Sequence, residues 1–90
     1  AALFETQRPA FRAQLARLAA VVGRRGRVLE VGSHVGGFLA AAADDGWEAE
    51  GIDVNADAVG FARGMGLRVS VATLEGYEGA PGFDAVALWS

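Results

Sequence analysis

The stretch Arg27-Val28-Leu29-Glu30-Val31-Gly32-Ser33-His34-Val35-Gly36-Gly37-Phe38 decides the fold. It begins as a short apolar run, the pattern of a buried strand. It turns through glycines and, from Phe38 onward, becomes Ala-rich and helix-forming. Strand, glycine loop and helix in that order have a physical use. Glycine has no Cβ, so the loop backbone can approach a ligand closely. The helix N-terminus aims free N–H groups and a partial positive charge at whatever sits there. Glu30 stands two places before the first glycine, where a nicotinamide-binding loop is usually apolar. A carboxylate there suits a ligand with a cationic or hydrogen-bond-donating part.

The same alternation of strand and helix extends outward in both directions. Upstream, Pro9 suits the first turn of a helix, where its missing N–H costs nothing. Phe11, Leu15, Leu18 and Val22 follow at helical spacing, and Gly23 is a natural stop. Strand one covers 28–31, and the glycine loop runs 32–37. A helix over about 37–45 closes at Gly46, and strand two covers 48–54 and opens beside Trp47, a packing residue. Asn55 is a good N-cap for the next helix. That helix turns Ala58, Val59, Ala62 and Met65 inward and ends around 64–66. Leu67, Val69 and Val71 alternate with Arg68 and Ser70, giving a third strand near a sheet edge. Gly76, Gly79, Pro81 and Gly82 make 73–82 a loop with at most one short helical turn. Residues 83–88 form strand four.

Strands alternating with helices predict an α/β fold, a Rossmann-like parallel sheet with right-handed crossovers and flanking helices. The expected strand order is 3-2-1-4. The glycine loop then lies at the switch point beside strand four, where ligands bind in open α/β sheets. The organisation is one domain over 1–90, with an N-terminal helix and turn in 1–26 and a ligand-binding core in 27–90. The start at Ala1 and the stop at Ser90, directly after a strand-like run, read as a piece of a longer protein.

Composition narrows the function classes. A hydrophobic fraction of 52% argues for a folded chain and against disorder. The net charge of −3 calls for neither nucleic acid nor an anionic membrane. Arg24, Arg25 and Arg27 are accordingly read as turn charge near a helix C-terminus, in preference to a phosphate patch. The chain has no Cys and a single His, His34, which removes disulfides, thiolate nucleophiles and Cys- or His-rich metal sites. No apolar run approaches the ~20 residues of a membrane span, and the N-terminal segment is unlike a signal peptide. A cytoplasmic location is the expectation.

Asp53 is the second anchor. It stands 21 residues after Gly32, at the end of strand two. That spacing suits a carboxylate that accepts two ribose hydroxyls with its two oxygens. The alternative is an Asp that merely precedes a helix. Glu30 either meets a cationic or hydrogen-bond-donating part of a ligand or caps loop N–H groups. His34 either lies over the ligand or faces solvent, and if its position needs a positive φ it is tolerated at some cost. Trp89 lines the pocket or belongs to the core.

Glu30-Val31-Gly32-Ser33-His34-Val35-Gly36 resembles motif I of the class I S-adenosylmethionine-dependent methyltransferases, acidic-x-Gly-x-Gly-x-Gly. The first and third glycines match, and His34 replaces the second. Gly51-Ile52-Asp53-Val54-Asn55 is similar to the family's segment after strand two, and Phe83-Asp84-Ala85-Val86-Ala87-Leu88 to its strand-four motif. The resemblance covers 28–90. It implies an incomplete methyltransferase fold that binds S-adenosylmethionine. Glu30 would hold the methionine ammonium, Asp53 the ribose, and Val54 one face of adenine. The adenine edge would meet Thr73 and Leu74. Many members place an Asp in that loop, where this chain has Ala72 and Thr73. Gly32, Ser33, His34 and Gly36 would form the loop under the cofactor, and Trp89 would stand by the transferred methyl.

The function so implied is methyl transfer to an unidentified small-molecule or other acceptor, with no catalytic base identified and no metal. Two alternatives stand beside it: an NAD(P)-dependent oxidoreductase half-domain, and a non-catalytic methyltransferase-like interaction module. Strand four, uncovered on its outer side and apolar apart from Asp84, is a further candidate for self-association.

Overall fold

The computed structural model describes residues 7–77 and 82–88. Its elements run α1 (Arg8–Val22), β1 (Arg27–Val31), α2 (Gly37–Asp44), β2 (Glu48–Asp53), α3 (Ala56–Gly64), β3 (Arg68–Val71) and β4 (Ala85–Leu88). The four strands make one all-parallel sheet in the order β3-β2-β1-β4, as the alternation of elements predicts.

Local chemistry sets the boundaries. Pro9 sits in the first turn of α1, and Gly23, at φ 90°, ends the helix by donating its N–H to Ala19 O at 2.8 Å. The Asn55 side chain accepts from the Asp57 and Ala58 N–H groups at 3.0 and 3.1 Å and so starts α3. Most element ends fall within a residue of the sequence reading, and two features differ by more. β4 begins at Ala85 instead of residue 83, because the Asp84 carboxylate takes the Arg27 N–H at 2.8 Å where a ladder carbonyl would stand. Met65, expected on the inner side of its helix, is 39% exposed. It is the C-cap residue of α3, and Leu67 packs against the core instead.

The register sorts the strand residues onto two faces. Val28, Glu30, Ala49, Gly51, Val69, Ala85 and Ala87 share one face, and Leu29, Glu50, Ile52, Val86 and Leu88 the other. The main hydrophobic core lies on the first. There Val28 and Val69 meet Leu15 of α1, Phe38, Leu39 and Ala42 of α2, and Val59 and Ala62 of α3. Phe11 stands edge-on to Phe38 at a centroid distance of 5.9 Å and docks α1 on α2. Trp47 is buried in this core, as expected. All three helices therefore cover the same face. The crossover from β3 to β4 passes over the other, where Tyr77 reaches Glu50 and Phe83 lies against Arg27. Right-handed crossovers demand this split once the strand order reverses direction at β1.

Candidate functional site

Parallel pairing of Val31 with Ile52 brings the loop after β1 beside the end of β2. The Gly32 and Ser33 N–H groups both donate to Ile52 O, at 2.9 and 3.1 Å, so the loop turns over β2. Asp53, the last residue of β2, is only 8% exposed. Its Oδ2 accepts the His34 N–H at 2.9 Å and its Oδ1 accepts the Asn55 N–H at 2.9 Å. A carboxylate oxygen has two acceptor positions. The Val54 N–H adds a weaker contact, and the two oxygens keep acceptor capacity beyond these backbone donors. Burial pushes this carboxyl up, but the Asn55 and His34 N–H groups and the nearby His34 ring outweigh it and hold the group below its ordinary value.

His34 has a φ of 51°, the one positive value outside glycine among the described residues. Its ring is 73% exposed, with Nδ1 3.9 Å from Asp53 Oδ2. The ring thus faces solvent at the side of the carboxylate. Gly36 is the N-cap of α2 at φ 94°, and a Cβ there would run into the Leu67 side chain and lie 3.3 Å from Ala62 Cβ. This glycine serves packing against α3 and the approach to β3. The Val35 and Gly37 N–H groups, at the start of α2, have no protein acceptor among the described residues.

Ser33 is buried over Gly51, where a Cβ would stand 2.7 Å from Ser33 Cβ. Its Oγ has no hydrogen-bond partner among the described residues. Glu30 is buried too, in register between Gly51 and Ala87, two residues that leave it room on the helix face. Val54 is 70% and Leu74 46% exposed. With Val35, Val71 and Leu88 they form an exposed apolar rim at or just beyond the C-terminal ends of the strands. Ala72 N–H donates to Asp53 O at 3.1 Å, which brings the start of the crossover next to the site. The Thr73 hydroxyl accepts the Gly76 N–H at 3.1 Å, and its own proton remains available to donate. Trp89 lies outside the described residues.

The structure thus gathers His34, Asp53, Val54 and the start of the crossover on one edge of the sheet, and sets Glu30 and Ser33 inward. Sequence reasoning missed the role of Gly51, although a glycine inside a strand is a known mark of close approach. It also missed the Tyr77–Glu50 contact, which no spacing rule signals. The arginines at 24–27 are paired with acids: Arg24 with Asp84 at 2.7 Å, Arg25 with Asp45 at 3.2 Å and Arg27 with Glu48 at 3.4 Å. They belong to the opposite end of the strands, which agrees with turn charge. Among the described residues no group of three His, Cys, Asp or Glu could hold a metal ion, and no helix is long and apolar enough to cross a membrane.

No protein-family model matches the chain, and no curated protein matches it. Among solved structures, the crystal structure of WbdD superposes with a TM-score of 0.65 at 22% identity. The match covers 78% of this chain and 17% of WbdD. At that identity the likeness shows a shared fold.

Proposed function

We propose that this chain is the cofactor-binding part of an S-adenosylmethionine-dependent methyltransferase. The observation that carries the reading is Asp53. It is a buried carboxylate at the end of β2, and the backbone of the glycine loop and of the α3 start fixes it while both oxygens keep acceptor capacity. Two neighbouring ribose hydroxyls supply two donors, which is the complement of that arrangement. The fold, shared with WbdD, and the exposed apolar rim at the strand ends support the same reading.

The donor set fits the proposed cofactor. Asp53 would hold the ribose, and Val54 and Leu74 would flank the adenine, with Thr73 at its edge. Glu30 is the carboxylate for the methionine ammonium. The bound cofactor supplies an electrophilic methyl on a sulfonium. The chain's own contribution is to hold that group in a fixed orientation for an acceptor to approach. The open edge of β4 is a site for association with a second copy or with further chain of the same protein.

Ligand-induced stabilisation of the full-length protein tests the assignment. S-adenosylhomocysteine at 100 times its dissociation constant should raise stability by ~2.7 kcal/mol. A melting shift with NAD and none with S-adenosylhomocysteine would move the protein to the oxidoreductases. Silence with both, in titrations and in melting, would leave a non-catalytic module.

A further inference from the structure

The crossover between β3 and β4 is fastened to β2 at two points. At its start, Ala72 N–H donates to Asp53 O at 3.1 Å. Further on, the Tyr77 hydroxyl donates to Glu50 Oε2 at 2.6 Å. Glu50 lies three residues before Asp53 on the same strand, so the two fastening points are ~10 Å apart. The turn over 73–76 is strung between them. Inside it, Gly76 N–H donates to Thr73 Oγ1 at 3.1 Å and Tyr77 N–H to Leu74 O at 3.3 Å.

Glu50 is itself held. Arg27 Nη2 stands 3.8 Å from Glu50 Oε1, and the guanidinium lies 4.6 Å from the centre of the Phe83 ring. The Tyr77 and Phe83 rings meet at 6.3 Å. Tyr77 and Phe83 therefore converge on the Arg27–Glu50 pair, on the face opposite the described helices. Donation to Glu50, with burial and the charge of the same carboxylate, pushes the Tyr77 hydroxyl up to about 12, so it keeps its proton and remains a donor at neutral pH. Thr73, Leu74, Glu75 and Gly76 are all exposed. Packing does little to fix their position, and segments with few buried contacts open easily.

We infer that Tyr77 and Glu50 are positioning residues for the nucleobase side of the site. Their hydrogen bond sets where Thr73 and Leu74 stand relative to Val54. The inference rests on the cofactor reading above. Tyr77→Phe retains the ring against Phe83 and removes only the tie. Glu50→Gln retains an acceptor oxygen, and Glu50→Leu does not.

The test uses the full-length protein and two probes: S-adenosylhomocysteine and its deaminated counterpart S-inosylhomocysteine, which differ at the edge of the base. Wild type should prefer the adenine compound. Tyr77→Phe and Glu50→Leu should each lower that preference about fivefold, the scale of one net hydrogen bond. Glu50→Gln should keep most of it. A merely structural role would lower both affinities together and leave their ratio alone. An unchanged ratio in Tyr77→Phe overturns the inference while the cofactor reading stands. If wild type binds neither compound, the cofactor reading falls and takes this inference with it. Should Tyr77→Phe fail to fold, the Glu50→Leu and Glu50→Gln pair decides by the same ratio.

Discussion

The two faces of the sheet are built differently. One is roofed by three helices and holds the main hydrophobic core. The other carries one crossover, and its apolar residues grade from buried to open: Leu29 and Ile52 are covered, while Val86 is 50% and Leu88 68% exposed. The helix face also reaches the candidate site from beneath. Ser33 and Leu39 press on Gly51, and Gly36 rests on Leu67. The glycine loop thus takes its shape from packing on one side and presents its other side to solvent. Stability and ligand affinity should therefore separate on mutation.

The largest effect should fall on the roofed face. Leu39→Ala removes a side chain that is 1% exposed, and loss of a buried Leu costs about 2–5 kcal/mol. Chemical denaturation measures it, and a loss below 1 kcal/mol would mean that the helix layer is loosely packed. Gly51→Ala should follow, at about 1–3 kcal/mol for overpacking. The added Cβ would stand 2.6 Å from Leu39 Cδ1 and 2.7 Å from Ser33 Cβ. Because Ser33 belongs to the loop, this variant should also weaken ligand binding.

Asp53→Ala comes next and belongs to both regions. From spacing alone it should weaken cofactor binding far more than it changes folding. The structure adds a folding cost, since the His34 and Asn55 N–H groups lose their acceptor. A buried donor left unsatisfied costs ~1–3 kcal/mol. The expected result is a lower melting temperature together with lost affinity, and unchanged stability would show that water replaces the carboxylate. The pH dependence has a definite sign. Asp53 is held below its ordinary value of 3.8, so its contribution is complete above that pH and is lost as pH falls through the folded value. Asp84 shifts in the same direction, through the Arg27 N–H and the Arg24 side chain. Acid unfolding of Asp53→Asn should accordingly be less steep than that of wild type.

His34→Gly should have a small effect on stability. A non-glycine residue in the left-handed region costs roughly 1–2 kcal/mol, less for a residue tolerated there. Glycine also gives back about 0.4–1 kcal/mol through the unfolded chain. The sign of the change in ligand affinity is the sharper readout: tighter if the ring obstructs Asp53, weaker if it contributes a contact. Smallest of all, Leu88→Ser on the open face should stay within ~0.5 kcal/mol in the monomer. Sedimentation at rising concentration gives the other half of this test. If β4 docks a second copy, the serine variant should associate less, and a large loss of monomer stability would show that this face is covered after all.

Much of the site was legible because its signals are local. Asn55 reads as an N-cap from its side chain and its place before a helix, and it caps α3. Asp53 reads as the end of a strand and is that. Helical periodicity places Met65 inward, but the chain leaves the helix at Gly64 and turns through Gly66, which brings Leu67 inward instead. Residue 83 read as strand because Phe is apolar, whereas the Asp84 side chain competes with the backbone for the Arg27 N–H and delays the ladder.

Local sequence sets the order of strands and helices, the glycine turn between β1 and α2, and a carboxylate at the end of β2. These follow from side-chain periodicity and from the φ preferences of single residues, which act over a few neighbours. Tertiary packing sets which face the helices share, which backbone N–H groups the Asp53 oxygens accept, and that Tyr77 reaches Glu50. Those contacts join residues 19 and 27 positions apart. They exist only because parallel register sets the strands side by side, and no local pattern encodes that register.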